Sequence, residues 1–218
     1  MKIGLAIPTR GDRNIFLSKC LQMMNNQTRK ADLIHVVSEA PKSEDKDITY
    51  RYKKAFKYLF KQGCDVVFLI EDDDFYSEEY IETMLTEWIQ AGKPDVFGTD
   101  STTYYHLNRR KYKTMKHVNR SSAFSTMVTK EVMNIDFPKD NEPFLDMEIW
   151  KQLNGKTFAP ANQICLGIKH GVGLSGGRGH NENFPYDFED ENLGFLKSVV
   201  GEMFESYKVL TKQKYLQN

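Results

Sequence analysis

Long hydrophobic runs are missing from this chain. Its apolar stretches are no longer than segments such as Val66 to Ile70, whereas a helix that crosses a bilayer needs roughly 20 apolar residues. No membrane span is expected. The opening Met1-Lys2-Ile3-Gly4-Leu5-Ala6-Ile7 is interrupted by Pro8, Thr9 and Arg10 too early for a secretory leader and reads as a first strand. A cytoplasmic location is the corresponding expectation, in a host cell if the chain is phage-encoded. Cysteine is scarce: Cys20, Cys64 and Cys165 are odd in number and widely spaced, so neither a disulfide framework nor a zinc cluster is suggested. An excess of one charge is absent as well, because 30 basic residues balance 30 acidic ones. Overall charge therefore selects no class of partner. Repeats, low-complexity tracts and linkers are also missing, so one domain over residues 1–218 is expected.

What is present is ordinary globular composition, with 40% apolar and 28% charged residues in 218. That suffices for a sizeable core without staples. Residues 3–8 form an apolar run, and Phe16, Leu17, Cys20, Leu21 and Met24 follow at helical spacing. A second strand over 33–37 precedes a stripe of Tyr52, Ala55, Phe56, Leu59 and Phe60, closed by Gly63. Residues 65–70 read as a strand buried on both faces. Ile81, Met84, Leu85, Trp88 and Ile89 then make a third helix, and another strand follows at 95–98. Three strand–helix units predict an α/β fold with a doubly wound, mostly parallel sheet flanked by helices. Ligands then bind beyond the carboxyl ends of the strands. After residue 100 the alternation becomes irregular. A short helix at 146–153, a glycine-rich loop at 167–179 and an amphipathic C-terminal helix carrying Leu196, Val199, Val200, Met203, Phe204 and Tyr207 are predicted there.

The strongest local signal is Glu71-Asp72-Asp73-Asp74 at the end of the third strand. Four consecutive carboxylates repel one another, and a cation or a dense set of donors is the means of holding them together. A hard divalent ion, Mn²⁺ or Mg²⁺, fits, since it takes one or two carboxylates and completes its shell with water and phosphate oxygens. A solvated acidic turn is the competing reading. The spacing excludes an EF-hand.

Ile7-Pro8-Thr9-Arg10 and Phe68-Leu69-Ile70-Glu71-Asp72-Asp73-Asp74 resemble the two marks of glycosyltransferase family 2. That resemblance implies a GT-A fold and a nucleotide-sugar-dependent hexosyl- or pentosyltransferase. It divides the chain into a nucleotide-binding half over about 1–100 and an acceptor half over about 101–218. It implies Asp72 on the ribose or the metal, Asp74 as metal ligand, and Pro8, Thr9 and Arg10 lining the donor pocket, with Asp73 beside them. The family's catalytic acid is matched by Asp146 in Phe144-Leu145-Asp146-Met147-Glu148, with Leu145 where a Glu is usual and Glu148 as a weaker alternative near the acceptor. His170 in Ile168-Lys169-His170-Gly171 resembles a third metal ligand, with Lys169 and Arg178 reaching the diphosphate. Ser38-Glu39-Ala40-Pro41 replaces an Asp-rich base-reading element, and Glu39 is the partial substitute. A UDP-sugar is the favoured donor, and inversion the expected outcome.

The acceptor half carries a basic segment of Arg109, Arg110, Lys111, Lys113, Lys116 and Arg120, without an acid inside it and close to Tyr104, Tyr105 and Tyr112. It reads as a solvated loop or as a contact for a polyanionic acceptor such as DNA bearing hydroxymethylated bases; Arg109, Arg110 and Lys113 are its acceptor-side candidates. A glycan is the family's default acceptor. Two other functional classes remain at this point: a nucleotidyltransferase, which lacks its expected glycine-rich loop after the first strand, and a non-catalytic carbohydrate- or nucleic-acid-binding module.

Overall fold

Every residue of β1 (Ile3–Pro8) is buried, and its side chains alternate between two cores. Ile3, Leu5 and Ile7 enter one hydrophobic cluster and Ala6 the other. β3 (Val66–Leu69) does the same, with Val66 and Phe68 on one face and Val67 and Leu69 on the opposite one. This period of two on a doubly buried strand requires helices on both faces of a sheet. The computed structural model describes residues 1–10, 14–39, 47–170 and 185–210, and those helices are present in it. α1 (Asn14–Asn25) and α3 (Tyr80–Gln90) cover the first face, while α2 (Ile48–Lys61) and α4 (Leu145–Gln152) cover the second.

The central sheet has the order β2-β1-β3-β8-β5-β9, where β2 is Leu33–Val37, β5 Val96–Thr99, β8 Thr126–Thr129 and β9 Gly155–Phe158. β2, β1 and β3 pair in parallel, as do β5 and β9. β8 pairs antiparallel with both β3 and β5. The mostly parallel sheet expected from the sequence is thus present, with β8 inserted in reverse between its two parallel groups. The carboxyl ends of β1, β2 and β3 lie along one edge, where Thr9, Glu39 and the acidic tetrad follow in the chain.

A second sheet, β11-β7-β6-β10-β4, comes from the region that sequence periodicity left irregular. β4 (Phe75–Tyr76) directly follows the tetrad and pairs antiparallel with β10 (Cys165–Lys169), which runs parallel to β6 (Ser101–His106). The basic segment differs from the expected loop: Lys111–Lys116 is β7, an antiparallel partner of β6. Its Tyr112 stacks on Phe195 at 3.8 Å and on Phe188 of β11 (Phe188–Glu189) at 5.0 Å. The expected single C-terminal helix is divided. α5 (Gly194–Val200) is followed by a 3-10 turn at Gly201–Met203 and then by α6 (Phe204–Leu210). Gly201 has φ of 50° and ψ of −123°, a positive-φ conformation that glycine adopts without strain and that cannot continue an α-helix.

Candidate active site

β3 delivers the tetrad. The Ile70 N–H donates to the Ala6 carbonyl at 3.0 Å, extending the strand pairing to the last residue before the acids. The Glu71 N–H then donates to Tyr76 Oη at 2.9 Å. The Asp74 N–H closes the turn on the Glu71 carbonyl at 3.4 Å. Each carboxylate that follows has a different environment. Thr9 Oγ1 donates to Asp72 Oδ2 at 2.5 Å, linking the end of β1 to the tetrad. Asp73 Oδ2 is 2.8 Å from His170 Nε2, and the His170 ring, fully buried, stacks on Phe16 at 4.4 Å. Asp74 Oδ1 accepts the Ile168 N–H at 2.7 Å, while its Oδ2 is buried with no hydrogen-bond partner among the described residues.

One oxygen each from Glu71, Asp73 and Asp74 lie within 4.8 Å of one another. This set of hard oxygen donors suits Mg²⁺ or Mn²⁺, and the orphaned Asp74 Oδ2 is a buried acceptor that a cation would satisfy. The group that geometry brings together is thus Glu71, Asp73 and Asp74, beside the expectation of Asp72, Asp74 and His170 as metal ligands. Asp72 faces Thr9, and His170 stands behind Asp73.

The electrostatics follow from crowding and burial. Burial, reinforced by Asp73, Asp146 and Asp72 and opposed by Lys169, pushes the Glu71 carboxyl up to about 7. Burial and Glu71 hold the Asp74 carboxyl well above the usual range, against Lys169. Burial disfavours the Lys169 charge, yet Asp74 and Glu71 outweigh it and keep the ammonium protonated. Lys169 Nζ also lies 5.0 Å above the Tyr104 ring. That ring lies so close to Gly167 that a Cβ there would come within 2.6 Å of it. Glycine at 167 is what lets β10 and β6 approach with Tyr104 beneath Lys169.

Asp146 sits in the first turn of α4, whose cap is Phe144, an exposed residue in the left-handed region at φ 66°. For a bulky residue that conformation costs roughly 1–2 kcal/mol. The Asp146 side chain is 11% exposed and lies 3.6 Å from Arg120 Nη1. Burial pushes its carboxyl up to about 6, although Arg120 and the N–H groups of Asp146 and Met147 pull it down. It is thus both a participant in the helix start and a carboxyl tuned toward neutrality. Glu148 lies on another face, 3.8 Å from Lys151.

The remaining candidates are placed as follows. Pro8 ends β1, the Thr9 N–H donates to the Val37 carbonyl at 3.0 Å, and Arg10 follows at the same edge. Glu39 pairs with Lys54 and accepts from Tyr50 Oη at 3.3 Å. Arg178 lies outside the described residues, as does the glycine-rich loop from residue 171 onward. The basic segment meets acids that local sequence did not reveal: Lys111 pairs with Glu189 at 2.5 Å and Lys113 with Asp187 at 3.2 Å. Arg110 Nη1 donates to the Glu191 carbonyl at 3.2 Å, and Arg109 lies 5.5 Å from the Tyr186 ring centre. Sequence reasoning also missed Arg51. Fully buried, it donates through Nη1 to the Thr9 carbonyl and, at 2.9 Å, to the Val37 carbonyl, and through Nη2 to Asp47 Oδ2 at 2.7 Å. The i,i+4 spacing of Asp47 and Arg51 was the one available signal, and it marks helix surfaces far more often than sites.

The sequence matches no protein-family model and no curated protein sequence. Its structure resembles that of TarS from S. aureus, a GT-A-type glycosyltransferase. The likeness to TarS 1–349 in complex with UDP-GlcNAc has a TM-score of 0.57 at 11% identity, covering 78% of this chain and 59% of that one. TarS 1–349 in complex with UDP gives 0.55 at 11% identity, covering 77% and 60%. The chain thus spans about three fifths of these neighbours, and the likeness establishes the GT-A fold.

Proposed function

We propose that the chain is a metal-dependent glycosyltransferase that moves a sugar from a nucleotide-sugar donor, a UDP-sugar by preference, to an acceptor hydroxyl with inversion. The observation that carries this reading is the convergence of Glu71, Asp73 and Asp74 within 4.8 Å at the end of a buried strand. That place in a GT-A fold is where a parallel sheet presents a ligand-binding crevice. Bound there, Mn²⁺ or Mg²⁺ supplies Lewis acidity to the leaving diphosphate.

The chain's own residues do the rest. Glu71, Asp73 and Asp74 hold the ion, with His170 orienting Asp73 through its 2.8 Å contact. Asp72 and Thr9 line the donor pocket as a hydrogen-bonded pair, kept in place by Arg51 on the Thr9 carbonyl. Pro8, Arg10 and Glu39 border the same edge. Lys169, held protonated among the carboxylates, supplies fixed positive charge beside the diphosphate. Asp146 is the general base that removes the acceptor's proton. A carboxyl poised at about 6 is largely ionised at neutral pH yet basic enough to accept that proton. Pairing of Lys111 and Lys113 with Glu189 and Asp187 favours a glycan acceptor over DNA.

Purified protein is to be incubated with a panel of nucleotide sugars and glycan acceptors in Mn²⁺, Mg²⁺ or chelator. The expected product is a nucleoside diphosphate, released only with metal. Pyrophosphate release would indicate a nucleotidyltransferase, and metal-dependent binding without turnover on any acceptor would indicate a binding module.

A further inference from the structure

α2 carries two adjacent buried polar side chains toward the site. Arg51 meets its partners at the ends of β1 and β2, as described above. Tyr52 is 1% exposed and packs in the cluster that contains Leu69 of β3 and Leu145 and Ile149 of α4. That cluster reaches from the strand that leads into the tetrad to the helix that bears Asp146. Its hydroxyl is buried and has no hydrogen-bond partner among the described residues. Burial, and after it the charges of Glu71, Asp74, Asp146 and Asp72, hold the phenol well above its usual range. Asp74 Oδ2 is likewise buried with no hydrogen-bond partner among the described residues.

A buried hydroxyl left unpaired destabilises the fold, and native interiors rarely retain one without a partner. A phenol donates one hydrogen bond, and the charges that act on this one come from carboxylates, which accept. Hydroxyls so placed beside a metal site orient its ligands or its bound water. We propose that Tyr52 is a positioning residue of the cation site, its hydroxyl donating to the oxygen shell around a divalent ion held by Glu71, Asp73 and Asp74. This inference rests on the cation-dependent reading above and adds a residue to it.

Tyr52→Phe removes the hydroxyl and keeps the ring, including its contact with Phe56 at 5.9 Å between centroids. Mn²⁺ is titrated into the full chain by loss of the free-ion EPR signal, with and without UDP, and unfolding is followed in chelator. The variant is expected to bind Mn²⁺ about tenfold more weakly while its melting temperature in chelator stays the same or rises. At saturating Mn²⁺, kcat should fall severalfold while the donor KM stays within twofold. Mn²⁺ affinity within twofold of the unmutated chain overturns the inference. So does a clear loss of melting temperature in chelator, which would mean that the hydroxyl already has a partner inside the protein. An unmutated chain that binds no Mn²⁺ contradicts the cation reading and this inference together; equal binding by both chains contradicts this inference alone.

Discussion

Two regions of the molecule are rich in charge and use it in opposite ways. At the end of β3, carboxylates of one sign are forced together and buried, with Asp72, Asp73 and Asp74 all at 9% exposure or less. Along β7, lysines alternate with Tyr112 and Thr114 and meet Glu189 and Asp187 across a partly exposed sheet edge. The first arrangement raises carboxyl pKa values and is unfavourable for the fold alone. The second neutralises itself in water, where each exposed pair is worth about 0–1 kcal/mol. Like charge crowded into a buried place thus points to a ligand, whereas a charge run with complementary neighbours points to a solvated strand.

The largest effect that can sharpen this contrast is on turnover. Asp146→Asn should lower kcat by roughly 10²–10⁴-fold with donor and Mn²⁺ binding unchanged, as read by steady-state kinetics beside calorimetry. Next in size is a stability gain where charge is crowded. In chelator, Asp74→Asn should raise the melting temperature by a few degrees, because burial and Glu71 disfavour the Asp74 carboxylate, while abolishing Mn²⁺ binding. A loss of stability in that variant would break the contrast.

The pH dependence follows with a definite sign. Asp146 has its folded pKa raised from 3.8 to about 6, so it favours folding in its protonated form. Its contribution is fully present below about 4 and is lost as pH rises through about 6. Glu71, raised from 4.5 to about 7, acts in the same direction over a higher window. The metal-free protein should therefore lose stability from these groups between about pH 4 and 7, measured by denaturant unfolding in chelator. Turnover should move oppositely, rising with pH through about 6 as Asp146 ionises. The smallest effect belongs to β7. Lys111→Gln with Lys113→Gln should change stability by less than about 1 kcal/mol and leave glycan transfer and its salt dependence unaltered.

Much of the fold could be read directly. β1, β2 and β3 are short, mainly apolar runs, and α1, α2 and α3 carry stripes at helical spacing. The second sheet could not, because β4 and β11 are two residues long and carry no period. β7 alternates, but its lysines resemble an exposed loop until the acids of residues 187–189 are folded against them. The reversed β8 is invisible for a different reason: direction is a property of pairing and leaves no trace in composition. In the site, the tetrad was legible because four acids after a buried run have few bland explanations. Which three of its neighbours converge was not, since the turn closed by the Asp74 N–H on Glu71 sets that geometry. Arg51 and Tyr52 were hidden in a helical stripe that packing alone seemed to explain.

The most direct test of the central claim is the affinity of UDP for the chain, measured by calorimetry in Mn²⁺ and again in chelator. Binding in Mn²⁺ that weakens at least tenfold in chelator is the predicted result; equal affinity in both, or none in either, would contradict a cation site at Glu71, Asp73 and Asp74.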